Sequence, residues 1–594
     1  MLVFRRSMHL KRVLILLLLF TAITRADMSA LLTPSLSDPA PVGSTVTWYT
    51  SVSDPSPGTL WYRFRVREAG SEFHVVRDFG PQSSFDWTPA DHEGAYEVEV
   101  TVRNIDTAEA AVTTATYNVA PLAVDAPLVS ATTNSFVYLY SAPPCPPGST
   151  MQVEFWTGRG RRRLTTPKTC DGRSMNFYVG GIAPGATYSV RHVIQDRSGQ
   201  TYGPEMKVTP DPIRLPIAAY QILKPAPQPA VDGVLLQSPT SQIQLATDLA
   251  GNPLWYYAGP LTYITRPEPG GKFLGVYQDA RADPSGQLLR EFDLSGATLR
   301  ETNAARVSEQ LAARGMRPIT GFHHEARPLP NGQILALAST EQILTDVQGP
   351  GLVDVIGDMI LVLDANLQVV WAWDAFDHLD PRRPAVLGET CVRGGGGCPP
   401  FYQAQQANDW LHGNSLQLTP DGNILYSARH QDWVLKIDYN NGAGSGDVIW
   451  RLGKGGDFTI DSSDLNPWFS HQHDAGFVGN DNTLLAVFDN GNTRYADDQS
   501  SHSRGQVLRI DEQSRTASLV LNVDLGTYSD ALGSAQQLDN GNWHFDIGWT
   551  RFDPTQPPNA SQSVEVDPSG NIVYQIRILT PMYRTHRMRD LYTP

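Results

Sequence analysis

Asn408-Asp409-Trp410-Leu411-His412-Gly413-Asn414-Ser415-Leu416-Gln417-Leu418-Thr419-Pro420-Asp421-Gly422-Asn423-Ile424-Leu425-Tyr426-Ser427-Ala428-Arg429-His430-Gln431 reads as two strands joined by a tight turn. Asp421-Gly422 at the tip is a strong hairpin signal. Alternation with period two predicts that His412 and Asn414 share one face, and the returning strand brings Arg429 beside them. An imidazole, a carboxamide and a guanidinium at one end of a hairpin suit an oxyanion. An ordinary polar strand end has the same composition.

The same design recurs outward from this hairpin. Strands follow Pro330-Asn331-Gly332, Pro420-Asp421-Gly422, Asn480-Asp481-Asn482 and Asp539-Asn540-Gly541. They alternate with turns opened by Asp248, Asp364 and Asp567, each leading into a strand that ends in Trp255, Trp371 or Tyr574. Self-similar β-units without helical periods between them predict a propeller over residues 215–594, with six blades of roughly 60 residues each. Ala304 to Arg314 is the clear helix candidate. Upstream, residues 28–120 alternate as strands of an immunoglobulin-like β-sandwich, with Trp48, Trp61 and Trp87 expected in its core. Residues 124–212 predict a fibronectin-III-like sandwich, with Tyr188 after Pro184-Gly185 as the residue pinning a corner between strands. The basic run Arg159 to Arg163 is expected to be a solvated hairpin tip. The expected fold is therefore all-β, a six-bladed propeller preceded by two sandwich modules.

With 61 acidic against 46 basic residues the net charge is −15, and no basic tract longer than the run Arg159 to Arg163 follows the first dozen residues, which argues against nucleic acid as a partner. Residues 1–26 have the form of a signal peptide: Arg5, Arg6, Lys11 and Arg12, then an apolar run, then Thr24-Arg25-Ala26. That run is too short to favour a membrane span, and none is expected once it is cleaved. Export to the periplasm or beyond makes the four cysteines candidates for disulfides. The local pairing, Cys145 with Cys170 and Cys391 with Cys398, is the simplest of three.

Ten of the fourteen histidines lie beyond residue 320. His323-His324, His412 and His471-Gln472-His473 each precede a turn of the second kind by about eight to nine residues, so successive blades would aim them into one central funnel. Three chemistries compete for such a cluster. Imidazoles bind metals, but Arg429 is a poor neighbour for a cation. A quinone-cofactor propeller dehydrogenase would carry tryptophan-docking repeats, which are not evident. Group transfer from an anionic donor uses every residue type present: Arg as a planar fork for oxygens, Asn as a donor, His as nucleophile or acid–base.

Asp409-Trp410-x-His412-x-Asn414-Ser415, Ser427-Ala428-Arg429-His430-Gln431, Gln472-His473-Asp474-Ala475, Phe488-Asp489-Asn490-Gly491, Gly533-Ser534-Ala535-Gln536 and Met582-Tyr583-Arg584 together resemble the bacterial arylsulfate sulfotransferases, over about residues 215–594. The resemblance implies a six-bladed propeller behind an N-terminal β-domain, working in the periplasm. The implied activity moves a sulfuryl group from an aryl sulfate to a phenol without 3′-phosphoadenosine 5′-phosphosulfate or any cofactor. It implies His473 as the nucleophile that becomes sulfated, with His324, His412, Asn414 and Arg429 holding the sulfuryl oxygens. At His323-His324 the match is ambiguous by one residue, and His324 is favoured. Tyr583, Trp468 and Phe469 are candidates for stacking on the aryl ring. Besides the two small molecules, the expected partners are a second copy of the chain and a periplasmic thiol-oxidation system. Two sandwich modules where the family has one β-domain are a departure. The competing function is a secreted, non-catalytic binding protein for adhesion or glycan recognition.

Overall fold

The computed structural model describes residues 27–158, 160–212, 215–227, 233–279 and 281–593. The expected signal peptide, 1–26, lies outside the described residues. The chain is all-β. From residue 233 onward, six sets of four antiparallel strands follow one another, within sheets of four, five, six or nine strands. Five are built from consecutive strands: Tyr263–Glu268 to Thr298–Asn303, Gly321–Pro328 to Val369–Asp374, Gly413–Leu418 to Val448–Leu452, His473–Phe477 to Thr516–Asp524, and Ala531–Gln537 to Ile572–Ile578. The remaining sheet joins Val234–Pro239, Gln244–Asp248 and Pro253–Tyr257 to the last strand of the chain, Met582–Met588. Chain end and chain middle are thus zipped into one sheet, an arrangement that leaves fewer unpaired edges.

The first strands of neighbouring sheets touch and are tied by side chains donating to the next sheet's backbone. Asn414 Nδ2 donates to the carbonyl of Gln472 (2.7 Å), Ser415 Oγ to that of Ala475 (3.0 Å) and Ser534 Oγ to that of Thr585 (2.8 Å). Between sheets lie apolar cores. Phe469 belongs to one of them, packed with Leu425 and Val434, so it is core and not a ring platform.

Turn chemistry accounts for the repeat. Asp248, Asp364 and Asp567 each accept with Oδ1 from the backbone N–H two and four residues on. The position three residues on is left-handed in every case: Gly251, Leu367 and Gly570. The other turn needs glycine at the same conformation in Gly332, Gly422 and Gly541, with φ between 81° and 84°.

The N-terminal third is not a pair of discrete modules. Ser29–Pro34, Val46–Ser53 and Ser84–Trp87 cover the sheet of Leu60–Glu68, Gly94–Asn104 and Ala110–Ala120 over a core of Trp48, Phe64 and Tyr117. That larger sheet runs on, through the Arg77–Glu301 pairing, into the strands 263–303, making nine strands in one sheet. Trp48 and Trp87 are buried as expected, whereas Trp61 is half-buried under the guanidinium of Arg103. The next segment packs Tyr140, Phe155 and Phe177 into a core shared with Trp255, Phe273 and Phe292 of the first two C-terminal sheets. Continuity of apolar surface, which single-segment patterns do not reveal, is why the separate modules merge. Tyr188 does pin its corner: its hydroxyl accepts from the Ala183 N–H at 3.1 Å.

Both local disulfides form, Cys145–Cys170 and Cys391–Cys398. The helix candidate spans Ala304–Ala312, capped by the Asn303 side chain on the Arg306 N–H. Among the described residues no helix is long and apolar enough to cross a membrane. Of the basic run, Arg159 lies outside the described residues, while Arg162 pairs with Glu154 and Arg163, half-buried, donates to the Gly181 carbonyl, so these two are packed and not simply solvated.

Candidate active site

The opening hairpin forms from Gly413 onward, paired Gly413 with Ala428 and Leu418 with Ile424. It departs from plain alternation at its entry. His412 has φ 50°, and the register shifts between Gly413 and Ser415. Bulges of this kind re-aim side chains. His412 faces a cavity while Asn414 turns sideways onto the next sheet, so the two do not share a face. The same left-handed backbone recurs at His324 (φ 54°) and His471 (φ 50°), and at Leu532 (φ 68°) of the sixth sheet. Non-glycine residues held there cost of order 1–3 kcal/mol each and cluster at functional sites.

These bends open onto a cavity of about 830 Å³ with His324, His412, Arg429 and His473 in its wall. Thr390, the Cys391–Cys398 loop, Tyr402, Trp549 and Arg551 line it as well. The three other expected substrate contacts sit behind the wall. His323 is fully buried, its Nε2 3.2 Å from Asp358 Oδ1 and its Nδ1 2.8 Å from that of His324. Tyr583 is fully buried too and donates its hydroxyl to the His324 carbonyl. Asn414 is tied to Gln472. All three position wall residues.

What holds each ring decides what it can do. His473 Nδ1 lies 2.7 Å from Asn490 Oδ1, and Asn490 Nδ2 donates to the carbonyls of Ser529 (2.9 Å) and Leu532 (3.1 Å). Two carbonyl acceptors fix which end of the amide is NH₂, so Oδ1 must accept and Nδ1 of His473 must carry the hydrogen. The Nε2 lone pair is left for the cavity. Burial, and then the Arg429 cation, hold His473 well below the usual imidazole range. It is a neutral imidazole at neutral pH. His324 is likewise depressed by burial, with the neighbouring His412 adding to it.

Arg429 opens a short 3₁₀ turn after Ile424–Ala428. It donates through Nη2 to the Asp530 carbonyl (2.9 Å) and through Nη1 to His430 Nε2. Among the described residues no carboxylate lies in ion-pair contact with it, so a buried cation is left to face the cavity. His430 gives its Nδ1–H to the Asp409 carbonyl at 2.7 Å, stacks on His412 with centroids 4.6 Å apart, and so fixes the guanidinium. His471 is held between Glu389 and Asp432; burial lowers its pKa, but those hydrogen bonds outweigh burial and raise it.

Beneath the wall runs a buried charge cross. Arg584 reaches Glu325 (3.1 Å), Asp474 (3.5 Å) and the Asn414 carbonyl (3.0 Å), and Arg266 joins the same two carboxylates. Glu325 follows His324 and Asp474 follows His473, so the cross ties two wall histidines together through the backbone.

Sequence reasoning missed Asn490, Asp409, His430, His471, Glu389 and the cross. Asp409, His430 and Asn490 stand inside the motifs quoted above, but their partners lie on other elements. Asp409–His412–His430 and Glu389–His430–His471 have metal-ligand composition. Both nitrogens of His430 and of His471 are already committed, to a carbonyl and Arg429 and to two carboxylates, and the cation beside them favours an anion instead.

A family model described as arylsulfotransferase matches residues 219–585. The chain belongs to the arylsulfotransferase family. It is 27% identical over 304 residues to an arylsulfate sulfotransferase, AssT, of Escherichia coli O6:H1, a match covering 43% of this chain and 46% of that protein. The chain thus spans about half the length of the curated relative it matches. A two-domain fibronectin type III segment of chicken tenascin matches over 30% of this chain and 97% of its own length, at 14% identity and a TM-score of 0.14, which carries no conclusion about fold. Membership of the family supports a sulfotransfer-type activity in general.

Proposed function

We propose that the protein moves a sulfuryl group from an aryl sulfate to a phenol through a sulfohistidine at His473. One observation carries this: an imidazole whose Nδ1–H is committed to Asn490 and whose Nε2 lone pair faces a cavity beside an unpaired arginine. A neutral imidazole is a usable nucleophile. Nε2 attacks sulfur in line, the S–O bond to the aryl oxygen breaks, and Arg429 stabilises charge on the sulfuryl oxygens. His324 and His412 flank the same space. A phenol then takes the sulfuryl group from nitrogen, so the kinetics are ping-pong. No cofactor enters.

The six sheets are the blades of a six-bladed propeller over 215–594, onto which the strands of 28–120 and 124–212 are packed. Two disulfides suit an oxidising compartment, consistent with a periplasmic or secreted protein. The test is sulfate transfer from a chromogenic aryl sulfate to a phenol without nucleotide. Acceptor-dependent release of the chromophore, lost in His473→Ala, is expected. Release that persists in His473→Ala would overturn the assignment.

A further inference from the structure

The sulfohistidine scheme leaves the proton unassigned: the departing aryl oxygen needs one, and the incoming phenol must lose one. Two cavity histidines are available, and their Nδ1 partners differ. His324 Nδ1 meets only another imidazole, that of His323. His412 Nδ1 meets the carboxylate of Asp409 at 2.6 Å. Asp409 is itself nearly sealed from solvent, at 3% exposure. It stands against the Cys391 sulfur (3.5 Å), its N–H donates to the Glu389 carbonyl (3.0 Å), and its second carboxylate oxygen has no hydrogen-bond partner among the described residues. The His412 ring is thus the hydrogen-bonded side-chain partner of a buried carboxylate whose other oxygen is orphaned, with His430 Nδ1 standing further off at 3.8 Å.

We propose that Asp409 and His412 form the proton-transfer pair of the reaction, with His412 as the catalytic acid and base and Asp409 as the residue that positions it. The proposal rests on the sulfohistidine scheme and completes it. Asp409 accepts the Nδ1–H in both charge states, which leaves Nε2 of His412 pointed into the cavity, as the buried aspartate of a Ser-His-Asp triad does for its histidine. In the first half-reaction the N–S bond to His473 forms and the S–O bond breaks. The aryl oxygen takes that electron pair together with the Nε2 proton of His412, which is left neutral. In the second half-reaction His412 Nε2 takes the acceptor's proton as the phenol oxygen attacks sulfur, the N–S bond breaks, and the pair electrons return to His473. His412 ends protonated, ready for another donor. The two histidines therefore divide the work by what holds Nδ1: a neutral amide keeps His473 a nucleophile, and a carboxylate makes His412 the proton carrier.

Leaving-group dependence tests this, because a nitrophenolate departs without a proton and an unsubstituted phenolate does not. The burst of phenol release in Asp409→Asn is measured with 4-nitrophenyl sulfate and with phenyl sulfate, alongside peptide mapping of sulfated His473 in the unsubstituted protein. The expected result is that the ratio of the two rates widens by about 10²-fold, the usual worth of general acid catalysis. A merely structural role lowers both rates alike, and an equal loss with both donors overturns the proposal while leaving His473 in place. His412→Gln, which can still donate to Asp409, repeats the test if Asp409→Asn does not fold, with the same two outcomes. Absence of sulfated His473 in the unsubstituted protein with either donor overturns the underlying scheme, and the pair with it.

Discussion

Asn490 is the smallest part on which the chemistry turns. Its amide is oriented by two carbonyls and in turn selects the Nδ1–H tautomer of His473. Asn490→Leu removes that selection, and formation of the sulfated enzyme is expected to slow about 10²-fold with little change in donor KM. An unchanged burst rate would show that the tautomer is set elsewhere. Arg429→Lys keeps the charge but loses the planar fork, and kcat is expected to fall about 10²–10³-fold; steady-state kinetics with one donor decide it. Because burial and Arg429 lower the pKa of His473, its reactive neutral form persists as pH falls past 6.5. The acid limb of kcat/KM with 4-nitrophenyl sulfate should therefore lie below pH 6.5, and a limb above it contradicts the assignment. His412 and His473 were legible in the sequence because their motifs repeat before similar turns, and Arg429 because the returning strand of the hairpin carries it back beside His412. Asn490 was quoted there without a role, since its contact to His473 joins neighbouring strands 17 residues apart in the chain. Asn414 was misread because alternation assumes an unbulged strand, and the left-handed His412 breaks it.

At the scale of elements, the hairpin, both turn types, the helix 304–312 and both disulfide loops follow from local signals: turn residues, period-two alternation, a cap and cysteine spacing. What local signals do not carry is how first strands lock to one another. Arg584, on the last strand, bonds groups on the strands of Thr265, Glu325, Asn414 and Asp474. Arg584→Met leaves two buried carboxylates with Arg266 and, at 3.9 Å from Glu325, Arg327. A loss of about 3–5 kcal/mol is expected on breaking such a buried network, read as a lower thermal midpoint with loss of activity. An unchanged midpoint would mean that the cross does not hold the wall. Gly413 is constrained just as tightly, since a Cβ there would lie 2.4 Å from Tyr426 Cε2 and 2.6 Å from Asp358 Oδ2.

Over the whole molecule, five buried histidines, at 324, 430, 473, 544 and 586, are held neutral by burial. Their folded pKa values lie below the unfolded one, so the unfolded chain binds more protons as pH falls below 6.5, and stability present above that pH is lost. Each contributes up to about 1.4 kcal/mol per pH unit while it stays neutral. His471, raised by its two carboxylates, works in the opposite sense, as do the carboxyl groups of Glu268, Asp293 and Asp546, which burial raises. The thermal midpoint is expected to be lower at pH 5.5 than at 7.5; an equal or higher value contradicts the histidine balance. The all-β class was legible from turns and alternation along the whole chain. The fusion of the N-terminal strands into the sheet of residues 263–303 was not, because it rests on a single parallel pairing between distant segments.

The central claim is that His473 carries the sulfuryl group between donor and acceptor. Incubation with 4-nitrophenyl sulfate and no acceptor, alkaline quenching and peptide mass mapping test it directly. One SO₃ unit on the peptide containing His473, discharged on adding phenol, is the predicted result. An unmodified His473 peptide, or SO₃ retained after phenol is added, would contradict it.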